Sequence, residues 1–249
     1  MQGELRTVTE LPDRIDSTPA RDSTVRAAAV AYTPNLARER AIRILNVMVA
    51  LVGLVLTLPL WLLIAVAVKL TSRGPVFYTQ TRVGLDVRGR RPPRHDSRRQ
   101  QDIGGRPFTI YKFRTMTVGA EREGQAVWAQ ANDARVTSVG GFLRQCRLDE
   151  LPQLLNVLKG DMNIVGPRPE RPQLFAELRE QIPHYPLRQR VPPGITGHAQ
   201  VHLQYDTSVE DVRAKVAHDL EYIAERSLWK DFVIMLKTIP VMLFRKGGW

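Results

Sequence analysis

The sequence predicts a mainly α chain with a few short strands, an α+β fold carried on one apolar membrane helix. Three observations predict it. Val47 to Val68 is an unbroken apolar run without a charge, long enough to cross a bilayer if it forms a straight helix. Beyond it, apolar residues recur mostly at helical spacing, and one compact aromatic and β-branched stretch, Pro107 to Arg114, reads as a strand. The single cysteine, Cys146, excludes an intrachain disulfide, so the 43% of hydrophobic residues must supply the core.

Residues 1–35 are polar, mixed in charge and without sustained periodicity, and 1–40 are assigned to a flexible N-terminal tail. The membrane segment is assigned to 41–70. It starts too far from the N-terminus, and is too long, for a signal peptide. Pro59 lies inside it and removes one backbone hydrogen bond, which predicts a bend or break near the middle. Arg26, Arg38, Arg40 and Arg43 precede the run and Lys69, Arg73, Arg82 and Arg88 follow it, so charge sets no direction for a single crossing. A helix that dips into one leaflet and returns keeps both basic flanks at one anionic surface. On charge alone, dipping and spanning both stand.

The remainder, 71–249, is read as one folded domain. Residues 86–105 form a basic loop. The strand at 107–114 delivers Lys112 and Arg114. From Asp149, the spacing of Leu151, Leu154, Leu155 and Leu158 predicts a short helix, with Asp149 as N-cap, Pro152 in the first turn and Gly160 as the stop. Ser208 and Asp211 predict a capping box ahead of a helix carrying Val212, Val216, Leu220 and Ile223. Trp229 to Lys246 mixes large apolar residues with lysine and arginine, as a helix lying in a membrane interface does, although a helix packed on the domain fits as well.

The net charge of +11, from 36 Lys plus Arg against 25 Asp plus Glu, calls for anionic partners: phosphorylated substrates, anionic lipid or nucleic acid. No cluster of Cys and His has zinc-site spacing, so a metal, if used, should be a hard cation held by carboxylate and phosphate. A helix start beside basic residues suits phosphate, which draws attention to Asp149 and Glu150. Simple capping explains the pair equally well on local grounds.

Six ordered motifs decide between these readings: Arg-Gly-Pro-Val-Phe-Tyr-Thr-Gln-Thr-Arg-Val-Gly (73–84), Tyr-Lys-Phe-Arg-Thr-Met (111–116), Asp-Ala-Arg-Val-Thr (133–137), Leu-Asp-Glu-Leu-Pro-Gln (148–153), Gly-Pro-Arg-Pro-Glu (166–170) and Pro-Gly-Ile-Thr-Gly-His-Ala-Gln (193–200). Across roughly residues 40–246 the chain resembles the bacterial sugar transferases known as monotopic phosphoglycosyl transferases. The resemblance implies a re-entrant helix broken at Pro59, with a catalytic domain bearing interfacial helices on the cytoplasmic face of the bacterial inner membrane. It implies transfer of a sugar 1-phosphate from a UDP-sugar to polyprenyl (undecaprenyl) phosphate, with release of UMP. Asp149 would be the nucleophile and Glu150 its catalytic partner, both set to hold Mg2+, and Lys112, Arg114, Arg144 and Arg168 would contact phosphate.

Gly194, Thr196 and Gly197 look like a tight loop near the site, and His198 receives no catalytic role. The chain departs from the family pattern at Leu58, at Asn46 where aspartate is common, and at Ala134 where proline is frequent. The expected partners are the UDP-sugar, polyprenyl phosphate and the membrane. Nucleic acid is not expected, and a homodimer is left open. The competing reading is a membrane-anchored basic binding or scaffold protein without catalysis, in which Asp149 and Glu150 only cap a helix.

Overall fold

A computed structural model describes residues 23, 27–87, 104–120, 133–203 and 208–244. Most of the 86–105 basic loop and most of the expected tail lie outside the described residues. The apolar run lies within one helix, α1 (Leu36–Thr71), capped by Asn35, whose side chain accepts from the Arg38 amide. Among the described residues this is the one helix long and apolar enough to cross a membrane. The expected break at Pro59 is not a break in the helix, which is assigned as one element through that residue. Thr57 donates to the Gly53 carbonyl at 2.7 Å and accepts from Trp61 Nε1 at 3.2 Å. Hydroxyl bonding to the preceding turn is a way to bend a helix without interrupting it.

Two antiparallel strands follow, β1 (Phe77–Val83) and β2 (Pro107–Phe113), paired from Phe77 opposite Phe113 to Val83 opposite Pro107. The predicted strand is thus confirmed. Next come α2 (Ser138–Gln145), a 3-10 turn over Leu148–Glu150, and α3 (Gln153–Lys159). Here the predicted helix start moves. Asp149 is not an N-cap: α3 is preceded by Pro152 at the cap position, and Asp149 lies in the tighter turn before it. Leu151 and Leu154 bond back by i→i+3, to Leu148 and Leu151, the 3-10 pattern common at helix entries. Gly160 ends α3 with φ 87°, as predicted for a glycine stop.

A two-stranded parallel pair joins β3 (Asn163–Val165) to β4 (Gly194–Thr196). Gly194 and Thr196, expected with Gly197 to form a tight loop, therefore lie in a strand, and Gly197 follows it. Between the two strands run α4 (Pro172–Gln181) and a 3-10 stretch, Tyr185–Arg190. After β4 come α5 (His198–His202), α6 (Val209–Ala224) and α7 (Leu228–Phe244). The Ser208 and Asp211 capping box is present, and Val212, Val216, Leu220 and Ile223 are buried as predicted. The architecture is mostly helical with a few short strands.

The main core gathers Met162, Val165, Phe175, Tyr185, Tyr222 and Ile234 between the β3/β4 pair and α4, α6 and α7. A second cluster joins Ile64 and Val68 of α1 to Phe113 and Leu143, with Trp61 edge-on to Phe113 at 5.4 Å. The first half of α1 is tied down separately. Arg43 donates to the Val157 and Leu158 carbonyls at the end of α3, the second at 2.8 Å, and Glu39 pairs with Arg226 at 2.8 Å. Part of the expected tail is also docked, because Ala29 is fully buried and its carbonyl accepts from Arg190 at 3.2 Å.

Candidate active site

Glu150 is the centre of charge in this domain. Lys112 Nζ, from β2, lies 2.7 Å from its Oε1, and Arg168 Nη2 lies 2.7 Å from the same oxygen. Arg147 Nη1 is 4.0 Å from Oε2. Asp149 is adjacent, with Lys112 Nζ 3.7 Å from Oδ2, and both carboxylates are buried. The surroundings push the two apart. Burial raises Asp149, Lys112 offsets part of that and the charge of Glu150 adds to it, so Asp149 sits above the usual carboxylate range. Burial also acts on Glu150, but Arg168 and Lys112 outweigh it and hold that carboxyl well below the usual range.

The backbone explains why these groups meet. Arg147 adopts the left-handed conformation at φ 54°, unfavourable for a side chain with a Cβ, and turns the chain from α2 into the 3-10 segment. Lys112 stands near the end of β2, which a buried amide fastens to α3: Asn156 donates to the Thr109 carbonyl at 2.6 Å and accepts from the Tyr111 amide at 3.1 Å. Arg168 sits on a loop pinned at successive residues. Gly194 N–H donates to the Pro167 carbonyl, Arg188 to the Arg168 carbonyl at 3.1 Å, Arg82 to the Pro169 carbonyl at 3.2 Å, and Val83 N–H to the Glu170 carbonyl. Gly166 belongs to the same construction, since a Cβ there would lie 2.4 Å from the Pro192 carbonyl oxygen.

The expected phosphate-binding set is partly regrouped. Lys112 and Arg168 reach the carboxylate pair, and the charge of Arg144 is felt by Asp149. Arg114 is committed elsewhere: it is buried and donates to the Ser72 carbonyl at 2.8 Å and hydroxyl at 2.9 Å, fastening the end of α1 to the end of β2. Arg147 was missed, because its part depends on a left-handed turn that no glycine announces. Beside the charged cluster, Glu150 and Arg147 line a cleft of about 310 Å³ whose other walls include Val49, Gly53, Leu154 and Met235. A paired cluster of carboxylates and cations therefore borders an apolar space between α1, α3 and α7.

The pattern shared by bacterial sugar transferases matches residues 37–245. This chain belongs to that family. The Aeromonas hydrophila UDP-N-acetylgalactosamine-undecaprenyl-phosphate N-acetylgalactosaminephosphotransferase is 43% identical over 204 residues, covering 82% of this chain and 44% of its own length. The Caulobacter vibrioides UDP-glucose:undecaprenyl-phosphate glucose-1-phosphate transferase is 42% identical, with 84% of this chain and 72% of the relative aligned. The Rhizobium meliloti exopolysaccharide production protein ExoY is 37% identical over 221 residues, 83% and 87% of the two chains. The chain thus spans less than half the length of the Aeromonas relative and most of the other two.

Magnesium prefers carboxylate and phosphate oxygens. Asp149 fits that preference, with Lys112 at 3.7 Å, whereas Glu150 is already engaged by Lys112 and Arg168. One expectation is corrected: three histidines do converge, His198, His202 and His218. His198 is pushed down to about 3 by burial and then by the charges of Lys230 and the neighbouring imidazoles.

Proposed function

We propose that this protein transfers a sugar 1-phosphate from a UDP-sugar to polyprenyl phosphate, giving polyprenyl diphosphate-sugar and UMP, as the first membrane step of a polysaccharide or glycan. The observation that carries the reading is the buried Asp149 beside Glu150, with Lys112, Arg147 and Arg168 around the pair, and Glu150 and Arg147 on the wall of an apolar cleft. The names of the Aeromonas and Caulobacter relatives support both substrate classes.

In this reading an Asp149 carboxylate oxygen attacks the β-phosphorus of the UDP-sugar. The bond to the bridging oxygen breaks and UMP leaves with its electron pair. A phosphate oxygen of the polyprenyl phosphate then attacks the aspartyl phosphosugar, and Asp149 departs as carboxylate. Two steps replace one displacement between two anions. Lys112, Arg144, Arg147 and Arg168 supply the positive field for the diphosphate. Glu150 holds Lys112 and Arg168 in place. Magnesium, held by Asp149 and substrate phosphates, would neutralise the diphosphate and the departing UMP.

The prenyl chain belongs in the apolar cleft, and α1 belongs at the cytoplasmic face of the bacterial inner membrane as a re-entrant, monotopic element. A 36-residue helix is about 54 Å long, yet α1 touches the same domain at Glu39, Arg43, Trp61 and Val68. A perpendicular crossing would carry Phe113, Leu143 and their charged neighbours into hydrocarbon. Val55, Leu58, Leu62 and Val66 of α1, with Trp229, Phe232 and Leu236 of α7, are exposed, supporting contact with lipid through both helices.

The test is UMP release by purified protein in detergent with Mg2+, undecaprenyl phosphate and a panel of UDP-sugars. Release that requires the lipid and falls by on the order of a thousandfold or more in Asp149→Asn is expected. Release unaffected by Asp149→Asn, or absent with every donor, would return the binding-protein reading.

A further inference from the structure

The histidine cluster lies outside the machinery described above. His198 and His202 are separated by one helical turn on α5, so they share a face. His218 and Glu221 are similarly placed on α6, which packs against α5. The three imidazoles bring one nitrogen each to within 4.8 Å of one another. His198 Nε2 lies 3.6 Å and His218 Nδ1 4.0 Å from the same Glu221 carboxylate oxygen. The rings of His202 and His218 are parallel, and His198 stands edge-on to both.

Two features point to a ligand. His218 is buried, and its Nδ1, the nitrogen 4.0 Å from Glu221, makes no hydrogen bond. Unpaired buried nitrogens carry a desolvation cost that a bound cation removes. The third ring is already oriented. His202 Nδ1 lies 2.8 Å from the His198 carbonyl, and donation there leaves the Nε2 lone pair available, the arrangement that prepares metal-binding histidines. Lys237 Nζ, 3.3 Å from that Nε2, is the end of a flexible side chain on α7 that can swing away. The other nearby cation, Lys230, is paired with Glu225 at 2.7 Å.

We infer that His198, His202, His218 and Glu221 form a structural site for a zinc-class transition-metal ion that staples α5 to α6. Three imidazoles and a carboxylate make a closed tetrahedral set, with no position left for substrate. Zinc–nitrogen bonds near 2.0–2.1 Å require nitrogens about 3.4 Å apart, so each ring moves by less than about 1 Å from its present place. A helix of five residues has little stability of its own. Gln200, between the two α5 histidines in sequence, lines the apolar cleft together with Thr196. The metal would thereby hold one wall of that cleft.

The experiment uses full-length protein purified without a histidine tag, stripped with chelator and titrated with Zn2+ by calorimetry, with thermal unfolding followed in parallel. Wild type is expected to bind one Zn2+ per chain and to gain Tm, and Co2+ is expected to give the visible absorption of a tetrahedral site. His218→Asn and the exposed, fold-neutral His202→Asn should each weaken Zn2+ binding at least about tenfold and abolish the Tm gain. Asp149→Asn should retain both, which separates this site from the carboxylate pair and from the proposed transferase reaction. Failure of wild type to bind Zn2+ stoichiometrically, or equal binding by His202→Asn, overturns the proposal.

Discussion

Asp149 and Glu150 are chemically similar neighbours made different by what touches them. Glu150 is stabilised as an anion by Arg168 and Lys112, whereas burial raises Asp149 above the usual carboxylate range. A nucleophile must be ionised, so activity should be lost as pH falls through the raised Asp149 value. The acid limb of kcat/KM for the UDP-sugar is expected above the ordinary carboxylate range, and a limb near the ordinary value would refute this. The linkage for stability has the opposite sign. Because the folded value is raised, the fold favours protonated Asp149, and stability declines as pH rises through that value. Asp149→Asn should therefore be inactive and, at neutral pH, more resistant to urea than wild type. Arg114 shows how far a motif misleads about a single side chain: it shares Tyr-Lys-Phe-Arg-Thr-Met with Lys112 yet serves Ser72 instead of the carboxylates.

At the scale of elements, α1 is joined to β3 through one buried amide. Asn46 accepts from the Ile164 N–H and donates to the Ile42 carbonyl at 2.7 Å. The Ile164 bond needs an acceptor oxygen, which aspartate also supplies, whereas the bond to Ile42 needs the donor that the amide provides. Asn46→Leu leaves a buried N–H unpaired and is expected to lower stability by about 1–3 kcal/mol in urea unfolding, while Asn46→Asp preserves the Ile164 bond. No loss of stability in Asn46→Leu would remove this hydrogen bond from the account. The 3-10 turn at Leu148–Glu150 is the element least legible in the sequence. Its leucine spacing continues smoothly into α3; the left-handed Arg147 sets the turn off from α2, and Pro152, at the cap position of α3, marks where the helix takes over.

At the scale of the molecule, both halves of α1 and the exposed face of α7 belong to one body, with Arg226 bonding Glu39 at the start of α1 and Tyr222 within α6. A re-entrant helix leaves residues before and after it on the same side of the bilayer. Single cysteines placed at Asn35 and Ser72, in a Cys146→Ser background, should react with a membrane-impermeant maleimide from the same side in inside-out vesicles. Reaction from opposite sides would establish a crossing and defeat the monotopic reading.

The sequence by itself determined the apolar helix, the strand at Pro107, the capped helix after Ser208, the glycine stop at Gly160 and, through six ordered motifs, the family. These are set by local periodicity, capping chemistry and motif order, all contained in neighbouring residues. Only the tertiary structure decided that Lys112 and Arg168, but not Arg114, close on Glu150, that Arg147 joins them, and that three histidines separated by up to twenty residues meet. Such contacts depend on how distant segments pack, through the Asn156 and Asn46 amides and the pinned Gly166–Glu170 loop, and no local pattern encodes where a long side chain ends once its backbone has been placed.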